Sequence, residues 1–191
     1  MEPITEHLAF PLQWMQPKGI ARSYELYSSE VLVGRLDFQS TWGSLGLAVT
    51  SSQNWTFKRV GFFNTRVTVR LAGAAPASPG KEPPNIAIYR PNWRGEGWIE
   101  NASGRRVYWR PANFWASRFI ISAEDSSPLI FYQEGVEHPR FTDWFKTQAG
   151  VTIEYPARGM PETPMLVLLG WYLIVLQQED ASAVASTTAA V

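Results

Sequence analysis

Met165 to Leu176 reads MLVLLGWYLIVL, twelve consecutive residues without a charge, near the end of a chain that otherwise alternates like a β protein. As an α-helix this run is about 18 Å long, well short of the ~30 Å hydrocarbon core of a bilayer. A helix that is apolar on every side must be buried, and at this length the cover has to be protein. The run therefore predicts a core helix with the rest of the chain wrapped around it and no transmembrane span. Leu166, Leu169, Trp171, Tyr172, Leu173 and Leu176 are the expected core-helix residues. Thr163 is a candidate N-cap, and Pro164 suits the first helical position, where its missing N–H is not needed. The helix is expected over about residues 164–178, with 181–191 as a flexible Ala/Ser/Thr tail.

The remainder reads as short strands. Ser23–Tyr27, Val31–Phe38, Leu45–Thr50, Trp55–Val60, Arg66–Leu71, Ile86–Arg90, Gly97–Glu100, Val107–Arg110, Phe114–Ser122, Leu129–Gln133 and Val151–Tyr155 are apolar-rich runs separated by turn residues. Many alternate: Val67, Val69 and Leu71 share one face, Arg66, Thr68 and Arg70 the other. About ten or eleven strands at this spacing predict a mainly β fold, an antiparallel barrel or sandwich. Residues 1–21 form an expected leader packed on or near a single domain spanning 22–180. Arg140–Gly150 has Phe141, Trp144, Phe145 and Gln148 at helical spacing and predicts one extra short helix ending at Gly150.

Composition narrows the function classes. Lys plus Arg and Asp plus Glu balance at seventeen each, so the broad positive field of a nucleic-acid-binding protein is lacking and no nucleic-acid partner is expected. There is no cysteine, which excludes disulfides and thiolate metal sites and suits a reducing compartment. The opening MEPITEHLAFPLQW has no basic segment ahead of an apolar one and does not match a secretory leader. A cytoplasmic protein, able to sit peripherally at a membrane, is the expectation. His7 and His138 are isolated and make neither a metal site nor a triad, so no metal, cofactor or catalytic residue is assigned.

The strings SYELYSSEVLVGRLDF, GSLGLAVTSSQNWTFKRVGF and MPETPMLVLLGWYLIVL, in this order, resemble the tubby C-terminal-like superfamily, which includes LURP-one-related proteins and phospholipid scramblases. The resemblance covers roughly Arg22 to Leu176. It implies a closed barrel of about twelve antiparallel strands threaded by a central hydrophobic C-terminal helix, closure leaving no free sheet edge. Tubby proteins bind phosphoinositide head groups through surface basic residues, including a Lys-x-Arg pair on one strand. Here Lys58 and Arg59 are adjacent and point to opposite faces of a strand, so that site is not transferred.

The candidate binding residues are basic: Arg66, Arg70, Arg105, Arg106 and Arg110, whose guanidinium groups would bind an anion or a lipid head group if they converged. The ordinary alternative is a solvated outer face of scattered ion pairs. Trp42, Trp93, Trp98, Trp109 and Trp115 either fill the barrel or form a stacking platform for sugars. Trp171 and Tyr172 either plug the core or line a small-ligand cavity. The leading expectation is a non-enzymatic binding or regulatory module for an anionic lipid head group or a protein. A carbohydrate- or small-ligand-binding β module is the alternative, and an enzyme with an unfamiliar site the third.

Overall fold

A computed structural model describes residues 1–17, 21–41, 43–61, 65–76, 78, 80–92, 94–113, 117–135 and 149–188. After a single 3-10 turn at Ile4–Glu6, twelve strands follow. They are β1 (Leu12–Met15), β2 (Ser23–Ser28), β3 (Val31–Phe38), β4 (Gly46–Val49), β5 (Asn54–Val60) and β6 (Arg66–Leu71). The second half contributes β7 (Ala87–Pro91), β8 (Gly97–Asn101), β9 (Arg106–Pro111), β10 (Arg118–Ser122), β11 (Pro128–Glu134) and β12 (Ala149–Ile153). Each strand pairs antiparallel with its neighbours in sequence, and β12 returns to β1, Leu12 opposite Val151 and Trp14 opposite Ala149. The expected closed twelve-stranded barrel is what forms.

Closure falls on a segment expected to be only a packed leader. The signal lies in Leu12-Gln13-Trp14-Met15, where Leu12 and Trp14 point inward and are buried while Gln13 and Met15 are half-buried. Gly150 is likewise a strand residue, opposite Gln13 and Gln133, and not a helix stop. The rest of the helix expected at 140–150 lies outside the described residues. The short helix that is present is α1 (Tyr155–Arg158), opened by Pro156 at its first turn.

The helix α2 (Thr163–Thr188) runs through the barrel, buried without a break from Thr163 to Leu176. Its rings meet strands on several sides. Trp171 stacks on Trp14 of β1 with ring centroids 5.7 Å apart and meets Tyr24 of β2 edge-on at 5.5 Å. Tyr172 stacks on Phe38 of β3 at 5.4 Å and meets Phe57 of β5 at 5.4 Å. From β11, Tyr132 donates its hydroxyl to the carbonyls of Leu166 (2.9 Å) and Val167 (3.2 Å). Its ring crosses the helix at Gly170, where a Cβ would lie 2.3 Å from it. Glycine here is a packing requirement, since any side chain would collide with the ring.

Both ends of α2 differ from expectation. Thr163 does not use its hydroxyl as a cap oxygen: it donates to the Ala157 carbonyl at 2.5 Å, tying α2 to α1. The helix expected to end near residue 178 continues to Thr188, with Ser182 and Ser186 hydroxyls donating to the carbonyls of Gln178 and Ala183. Alanine is the best helix former, so a run rich in it extends a helix nucleated by tertiary packing. Among the described residues no helix is long and apolar enough to cross a membrane.

Candidate functional site

The five candidate arginines do not gather at one point. Arg66 and Arg70 share the outer face of β6, as the alternation requires. Arg70 donates Nε to Asn85 Oδ1 at 2.8 Å and pairs with Glu82, whose carboxyl it holds below the usual carboxylate range. Arg105 leaves the β8–β9 turn to pair with Glu162 at 3.2 Å, beside the start of α2. Arg106 pairs with Glu100 at 3.2 Å and lies 5.9 Å from the Trp98 ring centroid. Arg66 and Arg110 are exposed and have no ion pair among the described residues. They stand on β6 and β9, about 14 Å apart across three strand spacings. Of the five tryptophans, Trp98 is half-buried on the outer face and Trp109 is wholly buried, stacked on Phe119. Trp42, Trp93 and Trp115 lie outside the described residues, as does His138.

Among the described residues no three or more His, Cys, Asp or Glu side chains are grouped to hold an ion. His7 contacts Glu2 at 3.1 Å near the start of the chain.

Among the described residues, the fold builds a candidate site inside one mouth of the barrel. In β5, Trp55, Phe57 and Arg59 fall on the inward face, and Lys58 points outward, exposed. Register then sets Arg59 opposite Val67 of β6, and Val67 opposite Tyr89 of β7, one inward row across three strands. Facing this row, α2 presents Leu173, Leu176, Gln177 and Asp180, the i, i+3, i+4, i+7 spacing of a single helix face. Between row and helix lies a cavity of about 490 Å³, bordered as well by Gly61, Thr65, Pro91, Asn92 and Gly95. This is within the usual size range of small-molecule pockets.

Its walls are apolar with a few polar groups, the composition typical of such pockets. Tyr89 is only 3% exposed, and its hydroxyl has no hydrogen-bond partner among the described residues. Burial, with the Glu96 charge adding to it, pushes that phenol well above its ordinary pKa. Gly97 makes room for the Tyr89 ring: a Cβ there would lie 2.6 Å from it. At the rim, Arg59 Nη1 donates to both oxygens of Asp180, at 2.9 and 2.7 Å. Gln177 donates Nε2 to the Gly95 carbonyl at 3.0 Å.

The same end of α2 is fastened on another side by Arg22. This guanidinium pairs with Glu179 at 2.7 Å and donates to the carbonyls of Ser40 (2.6 Å), Thr41 (3.2 Å) and Gly43 (2.7 Å). It also stacks 4.1 Å above the Phe38 ring. Glu134 of β11 stands at the same end, its carboxyl raised by burial and partly lowered again by a hydrogen bond with Gln178.

Sequence reading missed Arg59, Tyr89 and Asp180 as a set. The available signal was the alternation Trp-x-Phe-x-Arg, which sends Arg59 inward with two core aromatics.

Fold and cavity together define a twelve-stranded antiparallel barrel filled by its own C-terminal helix, with a ligand-sized space left at one mouth. Comparisons of the chain with protein-family models, curated proteins and solved structures find no match.

Proposed function

We propose that this protein is a non-enzymatic binding module of tubby-like architecture that takes a small amphipathic molecule into the mouth of its barrel. The observation that carries this reading is the cavity of about 490 Å³ between the inward row of Arg59, Val67 and Tyr89 and the α2 face of Leu173, Leu176, Gln177 and Asp180. Arg59 gives the cavity one cation at its rim, which favours an anionic head group. Arg66 adjoins Val67 of the cavity wall, and Arg110 adjoins Trp109, which pairs with Gly97 beyond the β7–β8 turn. These two cations, without an ion pair among the described residues, suit a cytoplasmic protein that approaches an anionic lipid surface peripherally, with lipid and not nucleic acid as its partner.

The test uses 1-anilinonaphthalene-8-sulfonate, an aromatic body with a single anionic group. Wild-type protein is expected to bind about one equivalent with a blue-shifted, enhanced emission. Val67→Phe, which fills the cavity from the wall, is expected to abolish it without loss of the folded state. Absence of binding, or equal binding by a folded Val67→Phe protein, would count against the cavity as the site.

A further inference from the structure

We infer that this chain binds a second copy of itself head to tail, the closing-seam end of one barrel resting on the arginine-bearing outer wall of the next. The contact lies outside the mouth cavity and is independent of what fills it.

Two aromatic side chains stand in water at the end of the barrel away from the mouth, where β1 begins and β12 ends. Tyr155 opens α1 and is 82% exposed; Phe10, just before β1, is 58% exposed. The register, Leu12 opposite Val151, brings both segments to the same end of the β1–β12 seam. Side chains of this size are normally covered, and two left out at one place mark a contact surface.

The charges around them set the sign of the partner. Glu2 and Glu6 lie in the leader, Glu30 in the β2–β3 turn, Glu124 and Asp125 in the β10–β11 turn, and Glu154 after β12. The Glu2 amide donates to Leu32 and the Glu154 amide to Leu129, which gathers these segments about the seam. Among the described residues the cations facing them are Arg158 of α1 and His7, which contacts Glu2. Carboxyls outnumber cations here, so the surface requires a basic partner.

The same molecule carries one. On the outer wall from β5 to β10, Lys58, Arg66, Arg110 and Arg118 are exposed and have no ion pair among the described residues. The other arginines on these strands are paired, Arg70 with Glu82, Arg90 and Arg106 with Glu100. Glu96 shares the β7–β8 turn with Arg94 and bonds Asn92. Between the free cations, register sets half-buried Trp98 beside Tyr108, and Ile120 beside Phe131. That apolar ground can receive Phe10 and Tyr155, and a guanidinium group can meet a carboxylate and stack on a ring at once.

Placement fixes the symmetry. The wall is centred near β8, four strands round the ring from β12. Its free arginines stand at the mouth end, since Arg66 opens β6, Arg118 opens β10 and Arg110 lies at the end of β9. One self-complementary patch cannot hold both surfaces. The contact therefore joins unlike patches, and its repetition builds a ring or an open row instead of a two-fold dimer.

Sedimentation velocity of the full chain tests this. In about 50 mM salt the mean mass is expected to climb with concentration past that of a dimer, and in about 0.5 M salt, where screening is short-ranged, to return to that of a monomer. Arg66→Glu with Arg110→Glu and Arg118→Glu makes both surfaces acidic; Glu6→Lys with Glu124→Lys and Glu154→Lys makes both basic. Each triple variant is expected to associate about tenfold more weakly or worse. Mixed in equal amounts, and each folded by circular dichroism, the two should associate again, because the acidic end of one meets the arginine wall of the other. Phe10→Ser with Tyr155→Ser is expected to weaken association by about tenfold with every charge intact. A monomer at every concentration in low salt, a discrete dimer unmoved by the reversals, or reversed variants that stay apart when mixed would overturn the inference. So would a monomer that pellets with phosphatidylserine vesicles through the same arginines, which would assign the wall to a membrane.

Discussion

Arg59 and Asp180 meet across the mouth of the barrel, one guanidinium nitrogen holding both carboxylate oxygens, while Arg22 fastens the neighbouring Glu179 a residue away. The two contacts should separate on mutation. Arg22→Ala strips a stacked, carbonyl-bound guanidinium and leaves those acceptors short of a donor, an expected loss of about 2–4 kcal/mol. Arg59→Ala removes a half-exposed pair and should cost about 1 kcal/mol or less. Chemical denaturation of both variants checks this. Equal losses would mean that Asp180 is a structural partner.

Gly170 lets the Tyr132 ring cross the central helix. In Gly170→Ala the new methyl falls 2.3 Å from that ring, and neither ring nor backbone has room to yield. The expected loss is about 1–3 kcal/mol, from overpacking and from disturbed hydrogen bonds to Leu166 and Val167. In a protein of this size that lowers Tm by roughly 2–4 °C for each kcal/mol. Gly170→Ala combined with Tyr132→Leu should melt higher than expected from adding the two single losses.

Tyr89→Phe reads the unpaired hydroxyl directly. Removing a buried group that bonds nothing should leave stability unchanged or raise it by about 1 kcal/mol. A loss beyond about 1 kcal/mol would show that the oxygen has a structural partner.

Four tyrosines set the alkaline limit. Burial raises Tyr24 to about 12, with Glu179 pushing up and Arg22 pulling down, and it raises Tyr89, Tyr132 and Tyr172 further. A phenol whose folded pKa exceeds its unfolded value near 10 favours the folded state fully below pH ~10, and that contribution fades as pH climbs through the folded value. Alkaline unfolding should therefore begin above pH ~10, and the phenolate absorbance of these four should rise together with loss of the near-ultraviolet circular dichroism. Phenolate signal from all seven tyrosines with the fold intact would contradict their burial.

The barrel and its axle were legible because each depends on a local rule. Alternation placed Val67 and Val69 inward, and an uninterrupted apolar run could be satisfied only by enclosure. Closure through β1 was harder to read, since four residues after a proline carry little pattern. The arginines show what sequence cannot supply. Their acids lie at unrelated distances along the chain: Glu100 is six residues from Arg106, Glu82 twelve from Arg70 and Glu162 fifty-seven from Arg105. The cavity is a relation between one helix face and a row of three strands, and it exists only once register is set.

The most direct test is a 1H–15N NMR titration of the full chain with decanoate. Shifts confined to Gly61, Thr65, Gly95, the Gln177 side-chain amide and Asp180 are the predicted result. Shifts centred instead on Arg70, Arg105 and Arg106 of the outer surface, or none at millimolar decanoate (about the weakest specific affinity worth the name), would contradict a binding site inside the mouth of the barrel.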